Sequence, residues 1–174
     1  MRSPEDNIYI NDIGCNVGQF LKGLKENSSC SNFDYLGMDI SETYLRHARD
    51  IFADDQFNLH DISVSPPRAC HVTVCSATLE HILSWEAALV NILNTTKQIA
   101  YVRTVLGERY ERSEYTKSAI PYWIQQFQFD QIGELALAMG FKLNILRDQA
   151  TDSIPQYLGC GVTRTQFILE LRKH

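Results

Sequence analysis

The sequence has no apolar run near the roughly 18 residues that a membrane-spanning helix needs. Its opening residues, MRSPEDNIYI, lack the apolar stretch of a secretory signal. No helical membrane span is therefore predicted. A surplus of positive charge is also missing: 16 Lys and Arg stand against 21 Asp and Glu, for a formal net charge of −5. Nucleic-acid binding calls for a basic field or stripe, so DNA and RNA are disfavoured as partners. The five cysteines are odd in number and none forms a CxxC. That argues against a zinc site or a disulfide framework, and predicts reduced thiols in a cytoplasmic setting. Internal repeats and low-complexity stretches are absent as well. What remains is 174 residues, 44% apolar and 21% charged. That is the profile of one globular domain, residues 1–174, with a core of its own.

Along the chain, strand-like and helix-like segments alternate. NIYIND reads as a short buried strand and QFLKGLKEN as a helix with Phe20, Leu21 and Leu24 on one face. FDYLGMDI is a second strand. SETYLRHARDIF is a strong helix, with Ser41 as N-cap and Ile40 and Leu45 placed for a hydrophobic staple. QFNLHD and the β-branched HVTVCS supply two more strands, and Ser84 is placed to cap the helix SWEAALVNILNTT. KQIAYVRTVL is a fifth strand, and residues 107 to 121 read as irregular. FDQIGELALAMG is a helix that Asp130 would cap. Ile132, Leu135, Ala136 and Met139 form its buried stripe, and Gly140 lies just past its end. FKLNILRD and TRTQFILELRKH are the last strands, joined by a link long enough for a reversal. The pattern predicts an α/β, doubly wound, Rossmann-like fold: a mostly parallel sheet of about seven strands with the last one antiparallel.

In such folds ligands lie beyond the carboxyl ends of the strands, where the strand order reverses. Four places then matter. After the first strand, Gly14 and Gly18 flank Cys15, Asn16 and Val17, with Asp12 just before. Glycine permits a tight turn and close backbone approach. The dinucleotide pattern GxGxxG is not met, because Val17 and Gln19 stand where small residues are needed. A pyrophosphate is thus a poor fit beside Asp12, and a cationic ligand a better one. At the end of the second strand Asp39 can accept from both ribose hydroxyls, or can simply favour the dipole of the next helix. After the third, Asp61 can accept from an adenine amino group, with Ile40 and Ile62 on the ring faces, or can be an ordinary loop residue. After the fourth, CSATLEHI begins with the small residues Ser76 and Ala77, which leave room beside a ligand.

The succession D-x-G-x-N-x-G, GMDIS, HDIS and CSATLEHI resembles the class I S-adenosylmethionine-dependent methyltransferases, over roughly residues 7 to 172. FQFDQIGELALAMGF is similar to the segment that precedes their sixth strand. The resemblance implies S-adenosylmethionine as cofactor. Asp12, Gly14, Asn16 and Gly18 would lie at the methionine end and Asp39 at the ribose. Asp61 would bind adenine, with Ile40 and Ile62 packed on it, and the backbone of Ser76 would touch the methionine portion. Asn16 stands where the family has its middle glycine, and the N-terminal helical lid common in the family is short or missing here. His81 is the best-placed proton acceptor, or else a helix-entrance residue that hydrogen-bonds locally. Glu80 reads as a capping or surface residue. No N/D-P-P-Y/F sequence follows the fourth strand, which disfavours transfer to a base amino group. Residues 103 to 123 carry Arg103, Arg109, Arg112, Tyr110, Tyr115, Tyr122 and Trp123. They would form the acceptor side, or else a solvated loop balanced by Glu108, Glu111 and Glu114. The expected function is methyl transfer to a small-molecule acceptor. A methyltransferase-like interaction module without turnover is the alternative, and a nucleotide-linked oxidoreductase the weaker third.

Overall fold

The computed structural model describes residues 7–27, 32–53, 55–118, 121–159 and 161–174. The expected short lid and the thiols Cys30 and Cys160 fall outside them. The elements are β1 (Ile8–Ile13), α1 (Gln19–Asn27), β2 (Phe33–Asp39), α2 (Glu42–Ile51), β3 (Gln56–Leu59) and β4 (Cys70–Ser76). A single 3₁₀ turn, Leu79–His81, precedes α3 (Trp85–Thr95) and β5 (Thr96–Gly107). Then follow β6 (Glu111–Tyr115), β7 (Tyr122–Gln128), α4 (Phe129–Ala138), β8 (Phe141–Arg147), β9 (Gln156–Gly159), β10 (Val162–Arg164) and β11 (Gln166–Lys173).

The main sheet has the order β3-β2-β1-β4-β5-β11-β8. β11 runs antiparallel to both β5 and β8, and the pairs from β3 to β5 are parallel. The chain winds outward from β1 to β3 and returns to place β4 beside β1, so the order reverses between those two strands. This is the predicted doubly wound, Rossmann-like sheet with its last strand reversed.

Alternation along the strands feeds two cores. Tyr35 packs with Ile10, Leu21, Leu45, Ala48 and Phe57 under α1 and α2. Its neighbours Leu36 and Met38 point the other way, to Leu89, Ile92 and Leu93 of α3 and Ile132 and Ala136 of α4. The α4 stripe is thus as expected, with Leu135 and Met139 at its margin and Gly140 at φ +77 just past its end.

Local details differ from the sequence reading. Residues 107–121 are not simply irregular: β6 and β7 form an antiparallel hairpin, and β7 pairs in parallel with the end of β5. The charged residues of ERSEY hid that strand, because a solvated hairpin shows no apolar alternation. The link after β8 likewise carries the β9–β10 hairpin. Gln128, not Asp130, stands at the α4 cap position: the Gln131 side chain accepts from the Gln128 amide at 3.0 Å, while Asp130 Oδ1, one residue inside the helix, accepts from the Gln131 amide at 2.9 Å. Ser41 caps α2, accepting from the Tyr44 amide, whereas Ser84 stands at the α3 cap position without a side-chain bond. The Ile40–Leu45 staple does not form, since Ile40 is 74% exposed while Leu45 is fully buried. His71 is occupied structurally: its Nδ1 accepts from the Tyr9 amide at 2.9 Å and its ring stacks on Tyr9.

Candidate active site

Strand register brings the four places together. Ile13 pairs with Met38 and with Cys75, so the residues that follow each of them emerge at one edge of the sheet. There Gly14 turns away at φ +71 and its amide donates to Met38 O at 2.7 Å; the Cys15 amide donates to the same oxygen. A Cβ at Gly14 would run into Thr78, so glycine is demanded by conformation and by space together. Asn16 follows at φ +52, a conformation asparagine tolerates better than most residues. Its own Oδ1 accepts from the Val17 amide at 2.8 Å. Gly18, at φ +83, faces the Phe52 ring and closes the loop by donating to Cys15 O.

Asp39 ties this loop to β2. One carboxylate oxygen accepts from the Asn16 amide at 3.0 Å and the other from the Ser41 amide at 2.9 Å. It therefore supports the α2 entrance and faces the cleft at once. Two amides use about half of a carboxylate's roughly four acceptor positions, which leaves capacity for two hydroxyls. Asp61 is exposed and holds Ser63 through its amide and its hydroxyl. Ile62 is buried and anchored by the Asn91 side chain, which donates to its carbonyl.

These tips enclose a cleft of about 710 Å³, within the range of small-ligand sites, about 300–1,000 Å³. Gly14, Asn16, Asp39, Ile40, Asp61, Ile62, Ser76 and His81 all line it. Asp12 and Gly18 are not on its wall. Asp12 is 3% exposed and accepts from the Tyr35 hydroxyl at 2.7 Å, so it supports the loop from beneath. Tyr44, His60, Thr78 and Ser84 also line the cleft. Nothing but adjacency to the motifs marks them in the sequence. Ala77 adopts φ +52, and its amide donates to Arg103 O. A non-glycine residue in that region marks a turn held by its surroundings.

Burial raises the Asp12 carboxyl from 3.8 to about 7; the Tyr35 hydrogen bond opposes the rise and the Asp39 charge adds to it. An acid whose native pKa is raised keeps its proton in the fold longer than in the unfolded chain. Its contribution to stability then falls as pH rises from about 4 to about 7. Asp12→Asn is expected to remove that fall. Thermal melts should show the variant level with wild type near pH 4.5 and more stable at pH 8. A variant less stable than wild type at pH 8 would contradict this.

Beyond Ser76, the 3₁₀ turn places Glu80 and His81 differently from each other. Glu80 is 1% exposed, which corrects its reading as a surface residue. It accepts from the Thr104 hydroxyl at 3.1 Å, and burial raises its carboxyl pKa. His81 is exposed, and its Nδ1 lies 2.8 Å from Trp123 O of β7. Gln125 fastens the same strand by donating to Ile82 O at 2.7 Å. His47 faces solvent.

The strand order, the reversed last strand and a cleft at the switch point define a Rossmann-like methyltransferase architecture. The chain belongs to the family described as Methyltransferase domain, which matches residues 2–144. No curated protein matches its sequence. Magnesium protoporphyrin IX methyltransferase from Synechocystis PCC 6803, solved with bound SAM, is 15% identical, covering 97% of this chain and 71% of its own, with a TM-score of 0.65. CalS10, an amino pentose methyltransferase from Micromonospora echinaspora solved with SAM, is 9% identical over 98% of this chain and 85% of its own, with a TM-score of 0.69. SpnF, a cyclase, is 16% identical over 96% of this chain and 74% of its own, with a TM-score of 0.66.

Proposed function

We propose that this protein methylates a small molecule from S-adenosylmethionine bound in the cleft, as one domain over residues 1–174. The observation that carries this is the convergence of the glycine loop, Asp39, Asp61, Ile62 and Ser76 on one cavity, with loop and Asp39 joined by the Asn16 amide. The residues present fit the cofactor. The loop offers backbone that a Cβ at Gly14 would obstruct. Asp39 keeps acceptor capacity for ribose hydroxyls, and Asp61 and Ile62 stand where an adenine would lie. The carboxylates suit a cation and repel a phosphate.

When bound, S-adenosylmethionine supplies an electrophilic methyl group on a positively charged sulfur. The chain's part is alignment, which can account for roughly 7–11 kcal/mol of a barrier. Asp12 steadies the loop from below, Gly18 shapes it, and Ile40 covers the adenine side. His81, at the far end, takes a proton where the acceptor carries one. A small acceptor is supported by the size of the cleft and by the formal charge of −5. A cytoplasmic setting is supported by the free, buried thiols Cys15, Cys70 and Cys75. Among the described residues no helix is long and apolar enough to cross a membrane.

Isothermal titration with S-adenosylmethionine and S-adenosylhomocysteine tests the reading. Saturable binding at micromolar concentrations is expected, and no heat at millimolar concentrations would defeat it. SpnF shows that this architecture also serves a cyclase. Cofactor binding without turnover on any acceptor would favour the non-transferring alternative.

A further inference from the structure

We propose that the acceptor is an uncharged phenol, bound with its hydroxyl toward His81 and deprotonated by Nε2 of that residue. This rests on the cofactor reading above and adds the chemical class of the second substrate.

The first observation is the tautomer of His81. A carbonyl oxygen only accepts, so the 2.8 Å contact with Trp123 O places the proton on Nδ1. In the neutral ring Nε2 then holds the lone pair, on a residue that lines the cleft. The ring is held a second time: Tyr122 meets it edge-on, with centroids 5.1 Å apart. An imidazole fixed through Nδ1 and open at Nε2 is oriented to receive a proton.

The second observation concerns charge. Among the described residues, Arg103 is the one Arg or Lys on the cleft wall, and its charge is already engaged. Arg103 lines the cleft, but its guanidinium grips Asp148 through two bonds of 3.0 Å and also Gln166. Arg109 pairs with Glu111 and Arg112 lies 4.2 Å above the Trp123 ring. A carboxylate or phosphate on the acceptor would find no free counter-charge there. The same end presents Ile82 and the 56% exposed Leu83, which suit an apolar body.

A phenol ionises near pH 10, several units below an alkyl alcohol, so one unassisted imidazole can take its proton. The phenolic oxygen forms the new bond to the methyl carbon as the carbon–sulfur pair returns to sulfur, and the phenolic proton passes to Nε2.

Three phenols make the test: 4-ethylphenol, 4-nitrophenol, which is already largely ionised at pH 8, and 4-hydroxybenzoate. Wild type should methylate 4-ethylphenol at least about tenfold faster than 4-hydroxybenzoate. His81→Gln should slow 4-ethylphenol by about 100-fold or more, within the usual range for a lost general base, and slow 4-nitrophenol by less than about threefold. Tyr122→Ala should give a smaller version of the same split, and Tyr122→Phe should restore wild-type rates. In the unliganded wild type, the ring nitrogen shifts of His81 should show the proton on Nδ1. Equal losses on 4-ethylphenol and 4-nitrophenol, preference for the benzoate, turnover of none of the three, or a proton on Nε2 would each overturn the proposal. If titration still shows S-adenosylhomocysteine binding, the failure belongs to the acceptor assignment; if it does not, the cofactor reading fails first.

Discussion

Asp39→Ala is expected to weaken S-adenosylmethionine binding by about 100-fold or more. Hydrogen bonds to a charged group contribute about 1.5–3 kcal/mol each, and each 1.4 kcal/mol is about tenfold in affinity, so losing two ribose contacts gives that range. The same substitution also removes the acceptor for the Asn16 and Ser41 amides. The Gly14–Gly18 loop then loses its tie to β2, which adds to the loss. Asp39→Asn separates the two effects. Its one carbonyl oxygen keeps about half of the acceptor positions and lacks the charge, so affinity should fall between wild type and alanine. Titration with S-adenosylhomocysteine reads all three proteins, and a thermal melt shows whether the fold persists. Unchanged affinity in a folded Asp39→Ala protein would remove the basis of the cleft assignment.

How far the site could be read from the sequence depends on whether a residue's role is set by local chain geometry or by distant packing. Asp39 and Ser76 end their strands and Gly14 and Asp61 follow theirs within two residues, and a strand end is visible as an apolar run meeting a turn residue. Parallel register does the rest, since Ile13, Met38 and Cys75 align. Asp12 is the instructive exception. The motif gave its position, yet its side chain turns to the Tyr35 hydroxyl, from a residue 23 positions away, and no local pattern carries that. Glu80 failed for the same reason: a carboxylate at a helix entrance is usually solvated, and it is the approach of β5 and β7 that buries it. His81 was legible as a candidate, but its orienting partner, Trp123 O, lies 42 residues on. It belongs to a hairpin whose charged first strand carried no strand signal. The doubly wound order was legible throughout, because helix period and strand period differ in every unit. The caps and the staple were less so: one turn of chain at α4 decides between Gln128 and Asp130, and both residue types can cap.

Asp148→Ala is expected to destabilise the protein by about 3 kcal/mol, the lower end of what breaking a buried ion pair costs. For a chain of this size that is a fall of roughly 6–12 °C in melting temperature. Asp148 has a side chain 3% exposed and Arg103 one 24% exposed, so removal of the carboxylate leaves a largely buried guanidinium with only Gln166 as partner. The Thr151 amide and hydroxyl lose their acceptor as well. The Arg103 hydrogen bond holds the Asp148 carboxyl at about 2 against an ordinary 3.8; burial opposes the shift and the Thr151 bond adds to it. A depressed acid contributes stability that is complete above about pH 4 and is lost as pH falls toward 2. Urea titrations at pH 7 and pH 3 should therefore show the variant's deficit shrinking in acid. The double variant Arg103→Met, Asp148→Leu should recover most of the loss, because no charge is left orphaned. A single variant within about 0.5 kcal/mol of wild type would show that the pair carries no net stability. The loss should also alter specificity. Freed from Asp148, the Arg103 guanidinium becomes the counter-charge that the acceptor end otherwise lacks. Asp148→Ala should then bind 4-hydroxybenzoate more tightly than wild type does, with 4-ethylphenol little changed.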